Sequence, residues 1–132
     1  MREILFRGKH SEKSRWDYGD LYIDHGKVYI GSRDIMHGVR VHGEVIPDTI
    51  GQYTGLTDKN GKKIFEGDIL AAHFDHNNPE VETRTVVEWS NFRWVTHQPG
   101  YEPDEITDFD KGLWVVIGNI HDNPDMLEAR HG

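Results

Sequence analysis

Apolar and polar residues alternate in short runs along most of this chain, and few windows carry the i, i+3, i+4, i+7 spacing of an amphipathic helix. Leu21-Tyr22-Ile23 and Lys27-Val28-Tyr29-Ile30, joined through Asp24-His25-Gly26, read as a hairpin. Gly26 is free to adopt the positive φ of a tight turn. Val39-Arg40-Val41 and Glu44-Val45-Ile46 flank His42-Gly43 in the same way, and Pro47 ends the second run because it brings no N–H to a ladder. Residues 1–48 therefore read as a β-rich N-terminal subdomain with irregular loops at 8–19 and 31–38.

The second stretch begins at Thr49. Thr49–Tyr53 is a short strand closed by Thr54-Gly55, and Asp58-Lys59-Asn60-Gly61 is a turn whose Asn-Gly pair suits type I′. Glu66-Gly67-Asp68 makes a sharp corner before an apolar strand over 69–74. Two strands follow, Thr83–Trp89 and Phe92–His97, joined by a turn at Ser90-Asn91. The acidic stretch 100–112 is a loop, and Leu113–Ile117 is apolar throughout, as in a strand buried on both faces. Only the tail is helical in pattern: Asp122 or Asn123 caps, Pro124 suits the first position, and residues 125–130 give about a turn and a half. Many short strands punctuated by glycine fit a small barrel or sandwich.

Composition narrows the class. The chain has 132 residues, no Cys and a net charge of −8. That length suits one domain, or one domain with a small appended subdomain. Disulfides and thiolate metal sites are excluded, and no apolar run approaches the ~20 residues of a membrane span. The opening residues are too short and too charged for a signal peptide, so the expectation is a cytoplasmic protein with no membrane partner. Residues 101–132 hold two basic and eight acidic side chains and supply most of the negative charge. Such an end repels phosphate backbones, which argues against a general nucleic-acid binder.

The run Thr49-Ile50-Gly51-Gln52-Tyr53-Thr54-Gly55-Leu56-Thr57-Asp58-Lys59-Asn60-Gly61-Lys62-Lys63-Ile64-Phe65-Glu66-Gly67-Asp68-Ile69-Leu70 resembles the signature of the YopX-like proteins, small proteins encoded by bacteriophages and prophages. Val116-Ile117-Gly118-Asn119-Ile120-His121-Asp122-Asn123-Pro124 is similar to that family's C-terminal motif, and Ile4-Leu5-Phe6-Arg7-Gly8-Lys9 to its N-terminus. The resemblance implies a mainly β fold, with an SH3-like barrel domain over 49–132, an N-terminal β-rich subdomain over 1–48 and a short C-terminal helix, the two parts forming either separate bodies or one compact unit. It implies no catalytic residues, and no cofactor is expected. The signature itself reads as structural: its glycines sit at predicted reversals, and Asp68 is placed to accept backbone hydrogen bonds at a corner.

Three further clusters carry candidate chemistry. His73-Phe74-Asp75-His76 offers His73, Asp75 and His76 as a metal set, since zinc accepts such ligands and a catalytic site needs about three. The flanking Asn77-Asn78-Pro79 reads instead as an ordinary solvent loop. Asp108-Phe109-Asp110-Lys111-Gly112 starts like a calcium loop but has Gly112, Leu113 and Asn119 where an EF-hand needs an oxygen ligand, Gly and Glu. Arg7, Lys9, Lys13 and Arg15 with Trp16 form a basic cluster with an aromatic, the elements of a single-strand nucleic-acid site. Glu12 and Asp17 in the same segment favour a charged edge loop. Trp89, Trp94 and Trp114 lie in predicted strands and are expected to pack. No nucleophile elbow, phosphate loop or dinucleotide fingerprint is present.

The expectation is thus a non-enzymatic accessory protein of a phage or prophage, acting as a homo-oligomer or by binding a phage or host protein. A nucleic-acid-binding protein using the basic loop is the alternative, and a metal-dependent hydrolase a further one.

Overall fold

The computed structural model describes residues 3–34, 36, 38–74, 77–90, 93–98, 104–105 and 112–128. These residues form two antiparallel sheets with almost no helix, and no closed barrel is formed among them. Two compact units divide between Tyr53 and Thr54, inside a strand, where the sequence reading broke the chain before Thr49. No helix among the described residues is long and apolar enough to cross a membrane.

Unit 1 contains β1 (Phe6–Lys9), β2 (Trp16–Asp24), β3 (Lys27–Asp34), β4 (Gly38–Glu44), a 3-10 turn at Pro47–Thr49 and the first residues of β5 (Gly51–Thr57). The strands stand in the order β4-β3-β2-β1-β5. The β2–β3 hairpin forms as expected: Asp24 pairs with Lys27, and His25 (φ 50) and Gly26 (φ 75) supply the two positive φ values of a primed turn. The expected loops at 8–19 and 31–38 are partly strand: β1 and β2 take 8–9 and 16–19 and leave a loop at 10–15, and β3 and β4 take 31–34 and 38.

The expected second hairpin over 39–46 is absent. β4 runs unbroken through His42-Gly43 and pairs with β3, with a register shift beside Ile30 and Gly31 that leaves His42 as the extra residue of a bulge. Gly43 is needed for close approach, not for a turn: a Cβ there would stand 2.5 Å from Cδ2 of His10. Beyond β4 the chain meets β1 again. His10 bridges Val45, the Ile46 N–H donates to the Lys9 carbonyl at 2.9 Å, and the Ser11 N–H donates to the Glu44 carbonyl at 2.9 Å. Ile30, Val45 and Tyr53 are the buried hydrophobic side chains of this unit among the described residues.

Unit 2 holds the rest of β5, β6 (Lys63–Phe65), β7 (Asp68–Ala72), β8 (Thr83–Ser90), β9 (Arg93–His97), β10 (Asp104–Glu105), β11 (Val115–Asn119) and α1 (Asp125–Glu128). Its five-stranded sheet has the order β10-β9-β8-β7-β11. Strand alternation places Leu70 and Ala72 of β7, Val87 of β8 and Trp94 of β9 on one face. They form the core with Ile64 and Trp114, and Leu56 and Val116 pack against it.

Several local expectations are corrected in this unit. β5 continues through Gly55 (φ 89) to Thr57 instead of closing there. In the 58–61 turn Gly61 has positive φ and Asn60 does not, so the turn is not type I′; the Gly61 N–H closes it on the Asp58 carbonyl at 3.0 Å, and the Asp58 side chain takes the Asn60 N–H. Ser90 pairs with Arg93, which moves the β8–β9 connection to residues 91–92, outside the described residues. Asp104–Glu105, expected in a loop, pairs with β9. Residues 115–119 are half-buried rather than buried on both faces, because β11 is an outer strand paired with β7 alone. The expected helix is present over Asp125–Glu128, with the Met126 N–H donating to the Asn123 carbonyl, and residues 129–130 lie outside the described residues.

Candidate functional site

The signature block begins where β5 leaves unit 1. Gly51 and Gln52 pair with Arg7 and Phe6, and the N–H of buried Tyr53 donates to the Leu5 carbonyl at 2.8 Å. In unit 2 the Thr54 hydroxyl donates to the Ile64 carbonyl at 2.9 Å and accepts the Leu56 N–H at 3.1 Å. Leu56 turns onto the core.

Asp58 is buried in the next turn. One carboxylate oxygen accepts the Asn60 and Lys62 N–H groups at 2.8 and 2.9 Å, and the other accepts the Val116 N–H at 2.9 Å. At the second corner, Oδ2 of Asp68, itself 1% exposed, accepts the Phe65 N–H at 2.7 Å. Between them Glu66 is half-buried, and Gly67 (φ 90) donates its N–H to Val87 and accepts the Ile120 N–H through its carbonyl. Carboxylates that accept backbone N–H groups satisfy donors the turn would otherwise bury unpaired.

The C-terminal motif is built in the same manner. Asn119 pairs with Asp68 across β11 and β7. Its side-chain oxygen accepts the His121 and Asp122 N–H groups at 3.0 and 2.9 Å, while its own N–H donates to Oδ1 of Asn123 at 3.2 Å. Gly118 leaves room for that amide: a Cβ there would stand 2.5 Å from Oδ1 of Asn123. Thus Asp58 ties β11 to the 58–62 turn, Asp68 closes the corner before β7, and Gly118 and Asn119 shape the turn that follows β11.

The basic cluster is not presented as one patch. Arg7 is buried, with its guanidinium 4.9 Å from the Trp16 ring centroid, a cation–π contact made across β1 and β2. Arg15 donates to Oδ1 of buried Asp17 at 3.1 Å and to the His42 carbonyl at 3.1 Å. Lys9 lies in β1 opposite Trp16 with its N–H on Thr49 Oγ1, and Lys13 is exposed in the following loop. That loop folds over His10, whose Nδ1 accepts the N–H groups of Glu12 and Lys13 at 3.0 Å each. An Nδ1 that accepts carries no proton, so the ring hydrogen sits on Nε2.

Of the metal candidates, Asp75 and His76 lie outside the described residues, as does most of the calcium-like stretch 108–112. His73 is exposed, its Nδ1 donating to the Val81 carbonyl at 3.0 Å and its Nε2 3.6 Å from Glu82. Glu82 in turn holds Arg84, which donates to the Met126 carbonyl in α1. Among the described residues no group of three or more His, Asp or Glu stands ready for a metal ion. Trp94 and Trp114 are core residues, while Trp89 is half exposed and meets Trp94 edge to face at 4.8 Å. Sequence reasoning missed Arg84 and Gly43, whose roles depend on strands and loops far along the chain.

A two-unit, mainly β chain whose turn carboxylates and amides brace its strands is the class this geometry defines. The YopX protein family matches residues 5–128, and the chain belongs to it. Its fold is similar to that of protein EF1440 from Enterococcus faecalis, at 20% identity and a TM-score of 0.66, covering 96% of this chain and 99% of that one. It is also similar to protein yopX from Bacillus subtilis, at 15% identity and a TM-score of 0.59, covering 96% and 97%. No curated protein matches the chain at a significant level.

Proposed function

We propose that this chain is a non-enzymatic accessory protein of a phage or prophage, a β module of the host cytoplasm that works by self-association or by binding a phage or host protein. The observation that carries the reading is the commitment of the signature to the backbone. Asp58, Asp68, Thr54 and Asn119 each hold main-chain groups through their side chains. Side chains engaged with the main chain in this way are committed to shaping turns rather than to meeting a substrate.

An SH3-like descent for unit 2 belongs to the same reading. Its support is the strand order: β7 to β10 follow one another as an antiparallel meander, and the last strand, β11, returns beside β7. The nucleic-acid alternative draws less support, since Arg7 and Arg15 are engaged within unit 1. Sedimentation at micromolar concentrations tests the self-association half of the proposal, and co-purification from induced cells tests the partner half. A chain that stays monomeric at every concentration and brings down no protein would overturn the reading. A salt-sensitive complex with single-stranded DNA, lost in Lys9→Glu, would put the alternative in its place.

A further inference from the structure

We infer that His10 is a proton-operated latch on the loop between β1 and β2, closed while its ring is neutral and released when the ring is charged. The inference goes beyond the self-association reading and does not depend on it.

β1 ends at Lys9 and β2 begins at Trp16, so the chain turns back within residues 10–15. Ser11 to Ser14 are exposed, whereas His10 is half-buried. The His10 N–H donates to the Arg15 carbonyl, the Arg15 N–H to the Lys13 carbonyl and the Ser11 N–H to the Glu44 carbonyl, each at 2.9 Å. Two further donors, the N–H groups of Glu12 and Lys13, both end on His10 Nδ1 at 3.0 Å. An Asn side chain commonly holds such a loop through its amide oxygen, which accepts at every pH. An imidazole nitrogen differs, because protonation turns Nδ1 from acceptor into donor. Three donors would then face one another across the 3.0 Å now occupied by two hydrogen bonds, and the loop has to move.

The opposite edge of the ring is arranged to keep it in place. His10 Nε2 and Oδ2 of Asp17 stand 2.6 and 3.3 Å from where a Cβ on Gly43 would be, so only glycine lets the ring lie this close to β4. Oδ2 of Asp17 is buried and has no hydrogen-bond partner among the described residues, while Oδ1 is held by Arg15. The other charged or titratable groups on the elements that adjoin His10 are Lys9 of β1, Glu12 and Lys13 of the loop, Arg15, His42 and Glu44 of β4, and Asp48 of the 3-10 turn. Arg15 also reaches the His42 carbonyl, His42 Nε2 meets the Ser32 hydroxyl at 3.3 Å, and Glu44 lies 3.9 Å from Lys27. A charged ring therefore loses its hold on the loop at Nδ1 and keeps a carboxylate on its Nε2 side.

The test is a pH titration of the isotopically labelled chain by NMR, following the His10 ring nitrogens together with the Glu12 and Lys13 amides. At neutral pH the ring is expected to carry its hydrogen on Nε2. Both amides are expected to shift with the midpoint of the His10 ring and of no other histidine. His10→Asn keeps an acceptor and removes the titration, so its amides should show no such step. Cleavage after Glu12 by a glutamyl endopeptidase is the second readout, taken as wild type over His10→Asn at one pH so that the protease's own pH dependence cancels. That ratio should be about one with the ring neutral and about tenfold or more with it charged, as the loss of two hydrogen bonds implies. Amides that stay in place while the ring titrates, the same step in His10→Asn, or a neutral ring protonated on Nδ1 would each overturn the latch. So would a ring that stays neutral until the whole chain unfolds. If His10→Asn does not fold, the wild-type titration decides alone.

Discussion

Asp58 and Val116 stand 58 positions apart in the sequence, and a carboxylate oxygen of the first accepts the N–H of the second at 2.9 Å. The neighbouring Lys59 N–H donates to the Trp114 carbonyl at 2.9 Å. A turn that looks self-contained in the sequence is therefore the clamp on β11, an outer strand with only one ladder of its own. The clamp is placed by Gly61, whose φ of 84° lets the chain reverse while the Asp58 N–H donates to the Lys62 carbonyl.

Removing the clamp should cost stability out of proportion to its size. Asp58→Ala leaves three N–H groups without their acceptor, one of them in half-buried β11. A loss of about 2–3 kcal/mol in unfolding free energy is expected, given ~1–3 kcal/mol for a buried group left unsatisfied. Urea denaturation with an unchanged m-value would measure it, and hydrogen exchange should show Val116 losing protection. A loss under about 0.5 kcal/mol would mean the turn holds β11 without the carboxylate.

The Gly118–Asn123 contact makes a second prediction. A Cβ on residue 118 would stand 2.5 Å from Oδ1 and 3.0 Å from Cγ of Asn123, and 3.0 Å from Sδ of Met126. Gly118→Ala should therefore push Asn123 off the Asn119 N–H and destabilise the chain by about 1–3 kcal/mol. Asn123→Ala removes the obstructing amide, so the double variant should lose less than the two single losses combined. Additive losses in thermal unfolding would show that the crowding involves something other than Asn123.

These contacts mark how far the sequence can be read. The hairpin at Asp24–Lys27 was legible because its turn chemistry is local: His25 and Gly26 accept positive φ with no help from elsewhere. β2 was only partly legible, since Trp16-Asp17-Tyr18-Gly19-Asp20 looks polar until Arg15 is seen pairing with buried Asp17. Glycine misled at residue 43, where it makes room for the His10 ring instead of turning the chain. The signature residues were legible as turn formers, but Asp58's hold on Val116 is a tertiary fact with no local trace. Proximity in sequence grouped Arg7 with Trp16 in a basic cluster, yet only the paired strands show that the cation is covered.

The meeting of β1 with the segment after β4 depends on Gly8. A Cβ there would lie 2.8 Å from Cβ and Cγ2 of Val45 and 3.0 Å from Cγ1, and Val45 is itself 1% exposed. Gly8→Ala should lower the unfolding free energy by about 1–3 kcal/mol, the usual cost of overpacking a tight site. The His10–Val45 bridge lies next to this contact, so the His10 and Ile46 amides should exchange faster in the variant. Unchanged exchange at both positions would place the adjustment in the Val45 side chain alone.

Thr85 supplies the prediction with the opposite sign. It lies in β8 across from Leu70, is 1% exposed, and its hydroxyl has no hydrogen-bond partner among the described protein atoms. Burial of an unpaired hydroxyl opposes folding by roughly 1–3 kcal/mol, whereas a methyl in its place gains from leaving water. Valine keeps the branched shape that suits a strand, so Thr85→Val should raise the unfolding free energy by about 1 kcal/mol with the sheet unchanged. Trp94 offers the matching control, because its buried Nε1–H also lacks a protein partner. There Trp94→Phe sets the relief of an unpaired donor against lost ring volume, and the two effects should nearly cancel. If Thr85→Val destabilises instead, the hydroxyl must be satisfied by an ordered water in solution, and the β8 face next to Leu70 must have room for one.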